Sequence, residues 1–204
     1  MSAAFAVLAC SADAQSPPDA LTTAFELCVS QLTNIDVVRD TLLQHGWEQN
    51  ENAAFTTLFN AKIAFDFHAD DLDYTFNNAV FMAGSVLGNS GLGSDQISVM
   101  FEDYQLAILG INEKSPYCVM TGPIDLITAF SDGGWQRQTQ FRSDLIEQGV
   151  WANSNGSSST VGIVDTDALL TLLEGSAPPN KAFAKLLPFL APITIHFATT
   201  EVPS

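Results

Sequence analysis

Positive charge is what this chain lacks most. Seven Lys and Arg stand against 23 Asp and Glu over 204 residues, a formal net charge of −16. Sequence-independent nucleic-acid binding draws its affinity from basic side chains that neutralise phosphates, so nucleic acid is excluded as a partner class. Anionic membrane surfaces are disfavoured on the same ground. Charge of either sign is scarce, at 15% of residues against roughly 25% in an average soluble domain. Long apolar runs are also missing. The best internal one, residues 79–88, falls far short of the roughly 18 residues a membrane helix needs, so a soluble chain without a transmembrane segment is expected. Cysteine is limited to three residues, none in a C-x-x-C pair, which leaves no zinc-ribbon or dithiol-redox motif.

Core material, by contrast, is ample. Apolar residues make up 47% of the chain, with 14 Phe and three Trp. A chain of this length buries roughly 70% of its unfolded surface and needs no staple to hold a core. Disorder, which pairs high net charge with few aromatics, is excluded. The acids are unevenly spread. No Lys or Arg occurs between Lys62 and Lys114, while Asp66, Asp70, Asp71, Asp73, Asp95, Glu102, Asp103 and Glu113 fall there. The plain reading is a solvated acidic surface; the sharper one is a cationic partner, either a metal ion or a basic protein face.

The opening MSAAFAVLACSADAQ holds a short apolar run followed by Ala12-Asp13-Ala14, a small-x-small pattern that suits signal-peptide cleavage. Residues 1–14 are therefore expected to be a signal-peptide remnant, and residues 15–204 one globular domain. Two alternatives stay open: acylation at Cys10 as in a lipoprotein, or an ordinary cytoplasmic start. Cleavage after Ala14 would leave Cys28 and Cys118, a natural pair for a disulfide in an oxidising compartment.

Along the chain, Leu21, Phe25, Cys28, Val29 and Leu32 recur at helical spacing behind Ser16-Pro17-Pro18. Asn34 is placed to cap a second helix that Gly46 ends, with Trp47 as a core anchor. Phe55, Leu58, Phe59 and Ile63 predict a third helix, and Leu72, Phe76, Val80 and Leu87 a fourth. Residues 63–68 between them suit either helix or strand. Alternation at Ile97, Val99 and Phe101, at Leu106 and Ile108, and through residues 117–120 predicts a three-stranded antiparallel meander. A helix over residues 123–130, a helical turn over 144–148 and a loose Gly/Ser/Asn loop over 153–159 follow. Then come a strand at 160–164, a helix capped by Asp165 or Thr166, a further helix from Pro178-Pro179, and a last strand whose Thr194, His196 and Ala198 face water. Helices first and hairpins next make an α+β fold, with N-terminal helices packed on a mostly antiparallel sheet containing the meander.

The densest chemical constellation is Asp66-Phe67-His68-Ala69-Asp70-Asp71. If extended, it would place Asp66, His68 and Asp70 on one face as ligands for a divalent metal. The bland reading is an acidic turn with helix-capping aspartates. No catalytic residue and no organic cofactor stands out. Gly88 to Gly93 fails both the nucleophile-elbow and phosphate-loop patterns. Phe55, Phe59, Phe65, Phe67, Phe76 and Phe81 concentrate aromatic area as core or as the lining of a small apolar site.

Phe25-x-x-Cys28 on a first helix, then Gly46-Trp47 and Cys118 on a strand, resembles small exported Gram-negative bacterial proteins of unknown function. That resemblance implies export and carries no activity. The expected function is thus a periplasmic or secreted acidic module that binds an unidentified protein or small molecule without catalysing a reaction. A metal-binding protein or metal-dependent enzyme centred on Asp66, His68 and Asp70 is the alternative, and a carrier of a small apolar ligand a third. Oligomeric state is not legible.

Overall fold

A computed structural model describes residues 17–30, 34–66, 72–89, 96–111, 117–175 and 186–198. Helix α1 (Pro17–Val29) begins at the proline pair, whose missing N–H groups cost nothing in a first turn. It buries Leu21, Ala24, Phe25 and Cys28. Helix α2 (Ile35–Gln44) starts where the Asn34 carboxamide oxygen accepts from the N–H groups of Asp36 and Val37, at 3.0 and 3.3 Å. Gly46 then turns the chain at φ +82°, the left-handed region expected for it. Trp47 follows as the anchor, 2% exposed, its indole N–H donating to the Ala20 carbonyl.

After the two-residue strand β1 (Glu48–Gln49) come helices α3 (Ala53–Asp66) and α4 (Leu72–Asn89). The meander forms as expected, with β2 (Ile97–Phe101), β3 (Tyr104–Leu109) and β4 (Tyr117–Gly122) paired antiparallel in sequence. Helix α5 (Asp125–Asp132) leads to two short edge strands, β5 (Gln136–Arg137) and β6 (Phe141–Arg142). A hairpin of β7 (Ile146–Ala152) and β8 (Ser158–Val164) follows, then α6 (Thr166–Gly175), a 3-10 turn at Leu187–Phe189 and β9 (Ile193–Ala198). The strands form one antiparallel sheet in the order β1-β2-β3-β4-β9-β8-β7-β5, with β6 also on β7. Both sheet edges end in two-residue strands, which blunts them against pairing with another chain.

The class is α+β, with three layers. On one face α1, α2 and α5 cover Val99, Leu106, Met120, Val161, Ile195 and their neighbours, and the rings of Phe25, Phe130, Trp135, Trp151 and Phe197 pack together. On the other face α3 crosses from β2, where the Ala54 N–H donates to Ser98 Oγ at 2.8 Å, to β7, where the Gln148 amide donates to the carbonyls of Ala64 and Phe65. Helix α4 lies over α3 through Phe59 and Phe76. Gly162 on β8 permits this closeness: a Cβ there would stand 2.5 Å from Ala64 Cβ.

Four expectations change. Residues 63–66 are helical, so the strand alternative fails; α3 is buried by the sheet below and α4 above, which hides its helical period. Residues 146–152 form β7, not a helical turn, because Ile146 and Trp151 face opposite cores across the polar Glu147 and Gln148. The loop after β7 is a tight hairpin turn, its backbone gathered by Asn153 Oδ1 accepting from the N–H groups of Asn155 and Ser157. The polar side of β9 is covered at Thr194 alone, 0% exposed beneath α3, while His196 is half-buried and Ala198 faces water as expected. Residues 176–185, where the helix from Pro178-Pro179 is expected, lie outside the described residues.

Candidate functional site

The interdigitated faces of the sheet decide which side chains meet. Cys118, Met120, Ile193, Ile195, Phe197 and Val161 belong to the α1 side. Strand alternation therefore directs Tyr117, Val119, Thr121, Thr194, His196 and Thr160 to the α3 side. His196 is paired in register with Val119 on β4 and with Thr160 on β8.

Helix α3 ends before it has covered this face. Its last turn rests over Gly162, with Phe65 beside His196 at 6.1 Å between ring centroids. Past that point, Val150, Ser158, Thr160, His196 and Ala198 continue the same face and are half-buried or exposed. Tyr117 closes the patch, its ring centroid 4.5 Å from that of His196. The result is a shelf of sheet walled by Phe65 and floored by an imidazole, a phenol and a hydroxyl.

Burial sets the protonation states. It lowers the His196 pKa below the ordinary 6.5, so the ring is neutral at pH 7. Tyr117 is pushed up to about 12, first by burial and then by the Asp66 carboxylate nearby, so its phenol stays protonated. Among the described residues no hydrogen bond reaches the Tyr117 hydroxyl, the His196 nitrogens or the Thr160 hydroxyl. At the rim, Asp66 ends α3 exposed and is ion-paired with Lys62 one helical turn earlier.

Of the three residues named from sequence as a metal face, Asp66 alone is among the described residues. Asp66 is helical and engaged by Lys62, so the extended geometry on which an Asp66, His68 and Asp70 metal face depended does not extend to Asp66. His68 and Asp70 lie outside the described residues, and among the described residues no group of three metal-ligating side chains is found. His45 caps α2, with Nδ1 2.8 Å from the Thr41 carbonyl. The phenylalanines do not line one site: Phe59 and Phe76 are sealed in the core, Phe55 and Phe65 are half-buried, and Phe81 is exposed; Phe67 lies outside the described residues.

Cys28 and Cys118 are brought to disulfide distance, their Cα atoms 5.7 Å apart and both side chains 0% exposed. They join α1 to β4 across 90 residues of sequence. No family model, no curated protein and no solved structure matches the chain. Among the described residues, no helix is long and apolar enough to cross a membrane.

Tyr117 and Thr160 were missed by sequence reasoning, which saw only strand residues. His196 was noted as polar, but its partners depend on the pairing of β4 and β8 with β9, which no local pattern encodes.

Proposed function

We propose that the chain is an exported binding module, its Cys28–Cys118 pair oxidised, taking its ligand on the β8–β9–β4 shelf without catalysing a reaction. The observation that carries export is the meeting of Cys28 and Cys118 in the core. Disulfides persist in oxidising compartments, and closing a loop of this length adds about 4–5 kcal/mol in the chain-entropy account. The leader-like residues 1–14 favour the same compartment, periplasmic or extracellular.

Binding is favoured over catalysis by the state of the shelf. A general acid works best with a pKa near the operating pH, and the Tyr117 phenol is far above it. His196 makes no hydrogen bond to the Tyr117 or Thr160 hydroxyl, so no base-activated nucleophile is assembled among the described residues.

The test is expression of the full chain in a Gram-negative host, followed by fractionation and intact mass of the recovered protein. Export predicts recovery outside the cytoplasm with a mass beginning at Gln15. Recovery in the cytoplasm with residues 1–14 attached would refute it.

A further inference from the structure

The turn between β7 and β8 sets side by side two residues that can react with each other. Asn155 and Gly156 are both exposed at its tip. Of all the asparagines in the chain, Asn155 alone is followed by glycine. Gly156 stands at φ +83°, and a Cβ at that position would meet nothing within 4 Å. The backbone nitrogen next after Asn155 is therefore crowded neither by a side chain of its own residue nor by neighbours on that side. Asn153 gathers the turn. Its Oδ1 accepts from the N–H groups of Asn155 and Ser157 at 3.0 and 2.9 Å, and its carbonyl accepts from the Gly156 N–H at 3.1 Å.

We propose that Asn155 is a site of spontaneous covalent modification, deamidated by attack of the Gly156 backbone nitrogen on its side-chain carbonyl carbon. The new bond joins Gly156 N to Asn155 Cγ, and the Cγ–Nδ2 bond breaks. The leaving nitrogen takes the Gly156 amide proton and departs as ammonia, which closes a five-membered succinimide. Water then opens the ring at one of its two carbonyls. Opening at Cγ gives aspartate; opening at the main-chain carbonyl gives isoaspartate, whose backbone runs through the former side chain. Either product adds a negative charge, and isoaspartate also lengthens the turn by one backbone carbon. Glycine admits the reaction, because ring closure is sensitive to small displacements and a side chain at 156 would crowd the attacking nitrogen. Asn153 restrains it, since Gly156 N must first leave the Asn153 carbonyl. Bonds at an exposed turn open at low cost, so the restraint slows the reaction without stopping it. Neither the export reading nor the shelf enters this inference.

The experiment incubates the purified, folded full chain at mildly alkaline pH and maps its tryptic peptides by tandem mass spectrometry over time. Asn52, equally exposed but followed by Ala53, is the internal comparison. The expected result is that Asn155 exchanges its amide for a carboxyl at least about tenfold faster than Asn52, yielding both aspartate and isoaspartate. Gly156→Asp keeps a residue type that tolerates the left-handed turn and should slow the exchange at Asn155 about tenfold. Asn153→Ala loosens the turn and should speed it about fivefold. Near-ultraviolet circular dichroism shows that each variant is folded; should Asn153→Ala fail to fold, Gly156→Asp carries the comparison. Conversion at Asn155 no faster than at Asn52, or undiminished in Gly156→Asp, overturns the proposal. Aspartate without isoaspartate overturns the ring-closing route, and an unchanged rate in folded Asn153→Ala overturns the restraint assigned to Asn153.

Discussion

The rings of Tyr117 and His196 pack tilted against each other, centroids 4.5 Å apart and planes at 39°, although they belong to strands separated by most of the C-terminal half of the chain. Burial lowers the imidazole pKa, and among the described residues no carboxylate is hydrogen-bonded to it. A histidine of lowered folded pKa makes stability pH-dependent with a defined sign. As pH falls through the unfolded value of about 6.5, the unfolded chain takes up the proton before the folded one does, so stability falls. Urea denaturation between pH 8 and pH 5 should show a decline beginning near pH 7, over and above that of the carboxylates. His196→Phe should flatten that upper portion of the curve. An unchanged curve would mean that His196 titrates alike in both states.

Thr194 lies beneath α3 at 0% exposure, its hydroxyl without a hydrogen-bond partner among the described residues, and Thr57 on α3 is in the same condition. A buried hydroxyl that makes no hydrogen bond loses its hydration without recompense. Thr194→Val keeps the shape and removes the oxygen, and is expected to raise stability by about 1 kcal/mol. A loss of stability in thermal or urea melts would show that the hydroxyl has a bonded water.

Gly162 and Ala64 are expected to be coupled. Gly162→Ala inserts a methyl group 2.5 Å from Ala64 Cβ and 3.3 Å from the Ala64 carbonyl oxygen, forcing α3 away from β8. The cost should be about 1–3 kcal/mol, as for other overpacked sites. In an Ala64→Gly background the same change should cost less, by a coupling of at least about 0.5 kcal/mol. Strict additivity in the double-mutant cycle would place α3 farther from the sheet.

Asn60 fastens the approach to β9. Its amide donates to the carbonyls of Thr56 and Phe189, and its oxygen accepts from the Ala191 N–H at 2.7 Å, all at 1% exposure. Asn60→Ala should therefore cost about 2–4 kcal/mol, from lost bonds and newly unpaired backbone groups. Val37→Ser, on the exposed side of α2, should stay within about 0.5 kcal/mol and serves as the control. Equal effects of the two changes in urea denaturation would contradict the anchoring role.

Legibility followed locality. The meander was readable because Ile97, Val99, Leu106, Ile108 and Cys118 alternate and Glu102-Asp103 turns the chain between the first two strands. The second helix was readable because Asn34 and Gly46 mark both ends by their own chemistry. The C-terminal end of α3 was ambiguous, since a helix buried on two sides carries no polar stripe. Strand β7 was hidden because Gln148 uses its amide to cap α3, a long-range task that makes a strand residue look like loop. The shelf was hidden for the same reason: Tyr117, Thr160 and His196 become neighbours only through non-local strand pairing, and the Asp66 and His68 cluster drew attention by sequence proximity alone.

The most direct test of the account is the oxidation state of two sulfurs. Protein from the native host is trapped in denaturant with an alkylating agent, without reductant, and its mass is compared with that of a reduced sample. The account predicts that Cys28 and Cys118 take up no label until reduced, and that a peptide linking the two is recovered. Full labelling of both without reduction would contradict it.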